Sequence, residues 1–143
     1  MMVKKEGVRM KLFIASHGHL ASGFESSLRI LCGQAENFTV YDAYLDESTL
    51  PDALDAFFAD VPESEEVLLL SDLYGGSVNT AMVPWLKRPH TRLVAGVNLA
   101  LVLELAVRKS LDDRELKDLI EQARAAMVLV EVDDSPVIQE EFF

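Results

Sequence analysis

Cysteine is nearly missing from this chain of 143 residues, and none of its apolar runs is long. The single cysteine, Cys32, excludes an intramolecular disulfide and a metal site built from several cysteines, and it fits a reducing cytosol. No apolar run reaches the length of a membrane-spanning helix, and residues 1–10 lack the apolar core of a signal peptide. We therefore expect a cytoplasmic protein.

Basic residues are also scarce: 13 lysines and arginines face 24 acidic residues, which gives a formal net charge of -11 at pH 7. A surface of this sign repels nucleic acid and anionic lipid, so neither is expected as a partner. Half of the residues are hydrophobic, and no linker or low-complexity segment divides the chain. Length and composition together predict one domain with a sizeable core.

Short apolar runs alternate with helical patterns along most of the chain. Four runs are typical of buried strands, at 12–15, 38–41, 67–70 and 93–97. Apolar residues at helical spacing predict helices between and after them, at 20–31, 50–58, 78–85, 99–107 and 110–126. This alternation predicts an α/β fold, a doubly wound and mainly parallel sheet with helices on both faces.

Cap and turn residues predict several helix ends. Gly33 is a stop for the first helix, and Pro51 suits the first turn of the second. Pro84 is expected to kink or shorten the third helix, because proline lacks the N–H that a helix interior needs. Ser110 and Asp113 have the spacing of a capping box at the start of the last helix.

The last predicted strand, at 127–132, differs from the others because it follows two consecutive helices. It is expected at an edge of the sheet, where it can lie antiparallel or pair with another subunit. We expect residues 1–9 to be a disordered leader, with Met10 as an alternative start. Residues 10–132 are then the domain, and residues 133–143 an acidic tail.

His17 directly follows the first predicted strand, in Ser16-His17-Gly18. Open α/β sheets bind ligands at the carboxyl ends of their strands, where this histidine lies. Imidazole can act as a neutral nucleophile or carry a proton at neutral pH. A single histidine at a loop edge is more often scaffold, so its role depends on what else reaches this edge.

The ends of the third and fourth predicted strands bring further polar groups to the same edge. Asp72 can accept one imidazole N–H, which fixes the tautomer and leaves the other nitrogen free. The turn Gly75-Gly76-Ser77 allows positive φ, with Ser77 as the expected N-cap, and its amides can hold an anion. Asn98 follows the fourth strand, and with Ser16 and Gly18 it is a further candidate. Together these groups indicate phosphorylation of a histidine, with no metal or organic cofactor expected.

The segments Ser16-His17-Gly18, 72–77 and 95–98, in this order, resemble the enzyme IIA domain of the mannose-type sugar phosphotransferase system (PTS). The resemblance extends from about residue 10 to about residue 132. It implies that His17 accepts a phosphoryl group from the histidine-containing phosphocarrier. His17 would then pass the group to enzyme IIB, which phosphorylates the sugar as it crosses the membrane components IIC and IID.

The same resemblance implies roles for the other site residues. Asp72 is expected to orient His17, and Gly75-Gly76-Ser77 to hold the phosphoryl oxygens. Family members are homodimers that exchange an edge strand, which would give residues 127–132 a role, and they reach the inner face of the membrane through the transporter. One residue departs from the pattern, because Val78 stands where the family usually has proline. We expect this change to loosen the turn without removing a hydrogen-bond donor.

The remaining histidines and aromatic residues are assigned no catalytic role. His19 and His90 are expected to be exposed loop residues. Tyr74 and Trp85 are expected to pack, with Tyr74 alternatively at the edge of a partner surface. Cys32 is expected to belong to the core.

Three other functions share parts of this pattern. A response-regulator receiver also has an aspartate after its third strand, but it needs an acidic pair after the first strand to hold Mg²⁺. This chain has Ser16 and His17 there. The phosphocarrier subunit of a dihydroxyacetone kinase presents a similar histidine but lacks the Gly-Gly-Ser turn. A phosphorylatable regulatory module of the same domain type is the third alternative, and the lack of an attached DNA-binding segment counts against it.

Overall fold

The computed structural model describes residues 9–33 and 36–132. Its sheet has four parallel strands in the order β2-β1-β3-β4, namely β1 (Lys11–His17), β2 (Phe38–Ala43), β3 (Val67–Ser71) and β4 (Thr91–Ala95). The helices are α1 (Leu20–Cys32), α2 (Leu50–Ala59), α3 (Ser77–Met82), α4 (Leu99–Ala106) and α5 (Asp113–Ala125). The predicted α/β architecture is confirmed.

Both faces of the sheet are covered, because the central strands carry apolar side chains on both sides. In β1, Leu12 and Ile14 join a core with α1, α4 and α5. Phe13 and Ala15, which alternate with them, join a second core with α2 and α3. Burial on both faces is typical of parallel strands. The carboxyl ends of the strands therefore form the open edge at which such sheets bind ligands.

Most of the predicted helix ends are confirmed. Gly33 ends α1 in the left-handed conformation, with φ at 78°, and Pro51 lies in the first turn of α2. Pro84 has the expected effect on α3, which ends at Met82 and continues as a 3₁₀ turn over Val83–Lys87. Among the described residues, no helix is both long and apolar enough to cross a bilayer.

The capping box predicted from Ser110 and Asp113 is wrong. The N-cap of α5 is Asp112, whose carboxylate accepts the backbone N–H of Glu115 at 2.8 Å. The Glu115 side chain in turn accepts the backbone N–H of Asp112 at 3.2 Å. Both residue pairs have the same spacing, but the capping box needs the longer glutamate or glutamine side chain to reach back to the N-cap.

The fifth strand predicted at 127–132 does not form within the single chain. This segment has no regular secondary structure after α5. The physical reason is that a strand needs a neighbouring strand for its backbone N–H and C=O groups, and this segment pairs with none of the four described strands. Its exchange with another subunit stays a prediction. The predicted leader, apart from Arg9, and the predicted acidic tail lie outside the described residues.

Candidate functional site

The candidate site lies where β1 and β3 end side by side at the centre of the sheet. His17 is the last residue of β1, and Asp72 directly follows the last residue of β3. The two strands pair in parallel, with Ala15 opposite Ser71, so the residues that follow this pair lie next to each other. The parallel register thus brings together two side chains separated by 55 positions in the sequence.

Asp72 holds His17 through two hydrogen bonds to one carboxylate oxygen. Oδ2 of Asp72 accepts the backbone N–H of His17 at 2.9 Å and lies 2.9 Å from its ring Nδ1. Because an ionised carboxylate can only accept, the Nδ1 atom carries the hydrogen and Nε2 keeps its lone pair. The Asp72 side chain is 7% exposed and that of His17 41%. The arrangement presents an oriented, accessible imidazole nitrogen.

Opposing effects act on the ionisation of Asp72. Burial favours the neutral acid and raises the pKa of its carboxyl group, but the hydrogen bonds from the His17 backbone and ring favour the carboxylate. The net result is a pKa below the usual value of 3.8. Asp72 is therefore a carboxylate at neutral pH, as its role as acceptor for the imidazole requires.

The glycine turn after Asp72 approaches the imidazole closely. Gly75 is left-handed, with φ at 74°, and a Cβ atom added to Gly76 would lie 3.6 Å from Cε1 of His17. Cε1 lies between the two ring nitrogens, so this backbone runs beside the edge of the ring that joins Nδ1 and Nε2. The predicted N-cap was wrong by one residue. Gly76 has the extended N-cap conformation, with φ at -73° and ψ at 167°, and Ser77 is the first residue of α3.

Two other candidates at this edge, Ser16 and Gly18, stabilise the connection between β1 and α1. Ser16 is buried, and its Oγ accepts the N–H of Ala21 at 2.7 Å and donates to the carbonyl of Gly18 at 3.0 Å. Gly18, with φ at 60°, forms the turn between β1 and α1.

Asn98 connects two helices. Its Oδ1 accepts the N–H of Leu101 at 2.9 Å, which caps α4. Its Nδ2 donates to the carbonyl of Ala123 in α5 at 2.7 Å. The Asn98 side chain therefore uses both its acceptor and a donor to join α4 to α5 beside the site.

A second histidine–carboxylate pair lies near the site but differs from the first. Nδ1 of His19 is 3.2 Å from Oδ2 of Asp42, and the His19 side chain is 80% exposed, as expected. Asp42 also accepts the backbone N–H and the hydroxyl of Ser22 at 2.9 and 2.6 Å. Burial opposes its ionisation, but these bonds and His19 lower the pKa of Asp42. This carboxylate ties the start of α1 to β2.

The remaining predicted side chains are partly confirmed. Trp85 packs as predicted, stacked on Phe58 with ring centroids 4.0 Å apart. Tyr74 does not pack, because its side chain is almost fully exposed beside the site. His90 is exposed in the turn before β4, at the other end of the sheet from His17. Cys32 is half-buried against the core.

Tyr44 is the site residue that sequence reasoning missed. Its ring packs against the imidazole of His17, with centroids 5.3 Å apart and planes tilted by 36°. Its hydroxyl is hydrogen-bonded to Oγ of Ser77. An aromatic residue directly after a strand gives no signal that distinguishes this position from ordinary packing.

The sequence and fold match a known family over most of the described chain. The family model for the PTS system fructose IIA component, EIIA-man, matches residues 11–124. The chain belongs to this family. A fructose-specific EIIA component of the PTS from Bacillus subtilis is 29% identical over 120 residues, which cover 81% of this chain and 80% of that protein.

Two solved structures share the fold of this EIIA-man domain. A protein described as a phosphoenolpyruvate-dependent sugar PTS permease, from Klebsiella pneumoniae, has a TM-score of 0.79 and 27% identity, covering 90% of this chain and 96% of that one. The mannose/sorbose-specific IIA subunit from Enterococcus faecalis has a TM-score of 0.77 and 25% identity, covering 90% and 99%. As a PTS IIA component, the chain is a phosphotransferase component that carries phosphoryl groups for sugar transport. The resemblance read from the sequence is confirmed.

Proposed function

We propose that His17 is the phosphorylated residue of this IIA domain and that the phosphoryl group is bound to its Nε2 atom. The observation that carries this proposal is the contact of 2.9 Å between Nδ1 of His17 and Oδ2 of Asp72. It occupies one ring nitrogen and leaves the lone pair of the other available. The side chain of His17 is exposed enough to meet another protein's active site.

The transfer needs no proton to leave His17. The lone pair of Nε2 attacks the phosphorus atom of a phosphohistidine on the donor, and a new N–P bond forms. The old N–P bond breaks, and its electron pair stays on the donor's ring nitrogen. The positive charge that develops on the imidazole of His17 is stabilised by the Asp72 carboxylate, which keeps its hydrogen bond to Nδ1–H throughout.

The turn at Gly75, Gly76 and Ser77 is proposed to hold the phosphoryl oxygens. Its backbone lies beside the Cε1 edge of the ring, and Gly76 leaves space there that a side chain would restrict. Backbone N–H groups and a hydroxyl aimed at a transferring phosphoryl group stabilise charge without further reorganisation.

The proposed donor is the histidine-containing phosphocarrier, and the proposed acceptor is enzyme IIB. Exposed apolar side chains beside His17 offer a surface for both, because Leu73 and Tyr74 lie on the loop that follows Asp72. IIB would pass the group to sugar carried by IIC and IID, so this domain acts in the cytoplasm and reaches the membrane only through the transporter. Relatives from sugar-specific systems favour this role over that of a dihydroxyacetone kinase subunit.

The phosphorylated nitrogen can be identified directly. After incubation with radiolabelled phosphorylated phosphocarrier, we expect acid-labile label on this chain and a phosphorus NMR signal of Nε2-phosphohistidine. Transfer onward to IIB should discharge the label. A signal of Nδ1-phosphohistidine would contradict the proposed role of Asp72. A phosphoryl group on Nδ1 would replace the hydrogen that this nitrogen donates to the Asp72 carboxylate.

We also propose that two copies form a homodimer by exchanging residues 127–132. The support is the exposure of consecutive apolar side chains, since Met127, Val128, Leu129 and Val130 are between 65% and 87% exposed. The strands β2 and β4 are the edges of the described sheet, and each has backbone groups that a strand from a second copy can pair with.

The double variant Leu129→Lys/Val130→Lys is expected to be monomeric, whereas the wild type is a dimer. Neighbouring side chains of a strand point to opposite faces, so one of the two lysines must enter the buried face in either orientation. Size-exclusion chromatography with light scattering measures the mass. Ile30→Lys, at a similarly exposed position on α1, is the control and should remain dimeric. A monomeric wild type at micromolar concentration would contradict the proposal.

A further inference from the structure

Tyr44 has an unusual backbone conformation for a large side chain. It directly follows β2, and its φ is 69°, in the left-handed region that favours glycine. Non-glycine residues persist in this region only where the surrounding structure holds them, and such residues cluster at functional sites. The surrounding structure must therefore hold Tyr44 in this conformation.

The neighbouring strand explains how the conformation arises. Ala43 is opposite His17 in the parallel register, and its carbonyl accepts the N–H of Gly18 at 2.9 Å. The chain turns immediately after this bond. The left-handed turn brings the ring of Tyr44 against the imidazole of His17 and its hydroxyl to Oγ of Ser77. One residue thus contacts both the nucleophile and the proposed phosphate-binding turn.

We propose that Tyr44 is a positioning residue for phosphoryl transfer, which directs the Ser77 hydroxyl at the phosphoryl group and restrains the imidazole of His17. This inference rests on the proposed function of His17. A phenol is more acidic than an aliphatic hydroxyl, so Tyr44 is the better donor in the hydrogen bond with Ser77. Oγ of Ser77 then accepts, and its own hydrogen is left for a phosphoryl oxygen.

The two contacts of Tyr44 act in the same direction. In a chain of hydrogen bonds each donor polarises the next, so donation from Tyr44 strengthens the bond from Ser77 to the phosphoryl group. The imidazole of His17 is meanwhile in contact with Asp72 at Nδ1, with Gly76 beside Cε1 and with the ring of Tyr44. These contacts leave Nε2 as the ring nitrogen open to the incoming group.

The test uses Tyr44→Phe, which keeps the ring and removes only the hydroxyl. We expect the maximum first-order rate of transfer from phosphorylated phosphocarrier to fall about 3–10-fold, the usual effect of losing one hydrogen bond between neutral groups. The phosphocarrier concentration that gives half of this rate should not change. In a Ser77→Ala background, Tyr44→Phe should change the rate by less than about 2-fold, because the two residues act as one unit.

Tyr44→Gly separates positioning from stability. Glycine adopts the left-handed conformation freely, and this relief offsets the lost contacts and the entropy cost of glycine, so we expect the Tm to stay within about 2–4 °C of the wild type. The transfer rate should nevertheless fall about 10–100-fold, because both the ring and the hydroxyl are lost. A loss of rate in a protein of nearly unchanged stability cannot come from damage to the fold.

Several results would overturn the proposal. An unchanged or faster rate in Tyr44→Phe would mean that the phenol does not hold Ser77 as a donor. A higher half-saturating concentration at an unchanged maximum rate would make Tyr44 a docking residue only. If Tyr44→Phe lowers the rate equally in the wild type and in Ser77→Ala, Tyr44 does not act through the Ser77 hydroxyl. These results differ from a failure of the proposed function itself, in which the wild type would acquire no label on His17.

Discussion

The His17→Ala variant is expected to take up no phosphate from the phosphorylated phosphocarrier, a loss of at least about 10³-fold in rate. Alanine removes the proposed nucleophile, and the turn proposed to bind phosphate contains no imidazole nitrogen that could form the N–P bond. Acid-labile label on the purified chain is the measurement. The fold should be intact, because the His17 side chain is 41% exposed and contributes little to the core.

His19→Ala is the matched control for this variant. It removes an imidazole two residues away that also lies beside a carboxylate, with Nδ1 of His19 3.2 Å from Oδ2 of Asp42. We expect phosphorylation within about twofold of the wild type, because the turn proposed to hold the phosphoryl oxygens lies beside the ring of His17. Acid-labile phosphate on His17→Ala would show that another residue is the acceptor.

Asp72→Asn is expected to slow phosphoryl transfer by about 10²–10³-fold while the chain stays folded. The asparagine amide can donate to Nδ1 of His17, which favours the tautomer with its hydrogen on Nε2 and removes the lone pair that attacks. It also removes the negative charge that stabilises the developing imidazolium. Transfer rates from labelled phosphocarrier measure the effect, and circular dichroism checks the fold.

Asp42→Asn makes the same change at the other histidine–carboxylate pair and serves as the control. Asp42 bonds Ser22 and His19 at the start of α1, so this variant is expected to lose stability but not transfer rate. Equal losses of rate in the two variants would mean that Asp72 acts only through the stability of the fold.

The ionisation of Asp72 also predicts how stability depends on pH. Its pKa in the folded chain is below the usual value of 3.8, because hydrogen bonds from His17 outweigh the effect of burial. The carboxylate therefore stabilises the fold fully above that value, and this contribution is lost as the pH falls through the folded pKa. In urea unfolding, the stability difference between wild type and Asp72→Asn should narrow from pH 7 to pH 3. A stability difference that is the same at pH 7 and pH 3 would contradict the lowered pKa of Asp72.

The location of the site could be read from the sequence because the order of strands and helices is simple. His17 and Asp72 each follow an apolar run, and all carboxyl ends of a parallel sheet lie on one edge. Two residues far apart in sequence could thus be placed on the same edge of the sheet without knowing the strand order. The hydrogen bond between them then follows from the register of β1 and β3.

Features that depend on a choice between similar local patterns were less predictable. Ser77 was expected as an N-cap, but the helix begins there and Gly76 is the cap. Asp112 and Glu115 form the capping box instead of Ser110 and Asp113, a pair with the same spacing that lies two residues earlier. The length of the Glu115 side chain decides the capping box, because it reaches back to the N-cap. Residue type alone does not decide between Gly76 and Ser77, since both types are favoured at an N-cap.

The sequence by itself determined the α/β alternation, the edge on which the candidate site lies and the histidine and carboxylate that meet there. Tertiary structure alone decided the contacts of Tyr44, because its place beside His17 and Ser77 depends on a left-handed turn after β2 and on the spacing of three separate loops. It also decided that residues 127–132 form no strand within one chain. Periodicity reports which face of an element a residue occupies, whereas these outcomes depend on which other backbone lies within hydrogen-bonding distance.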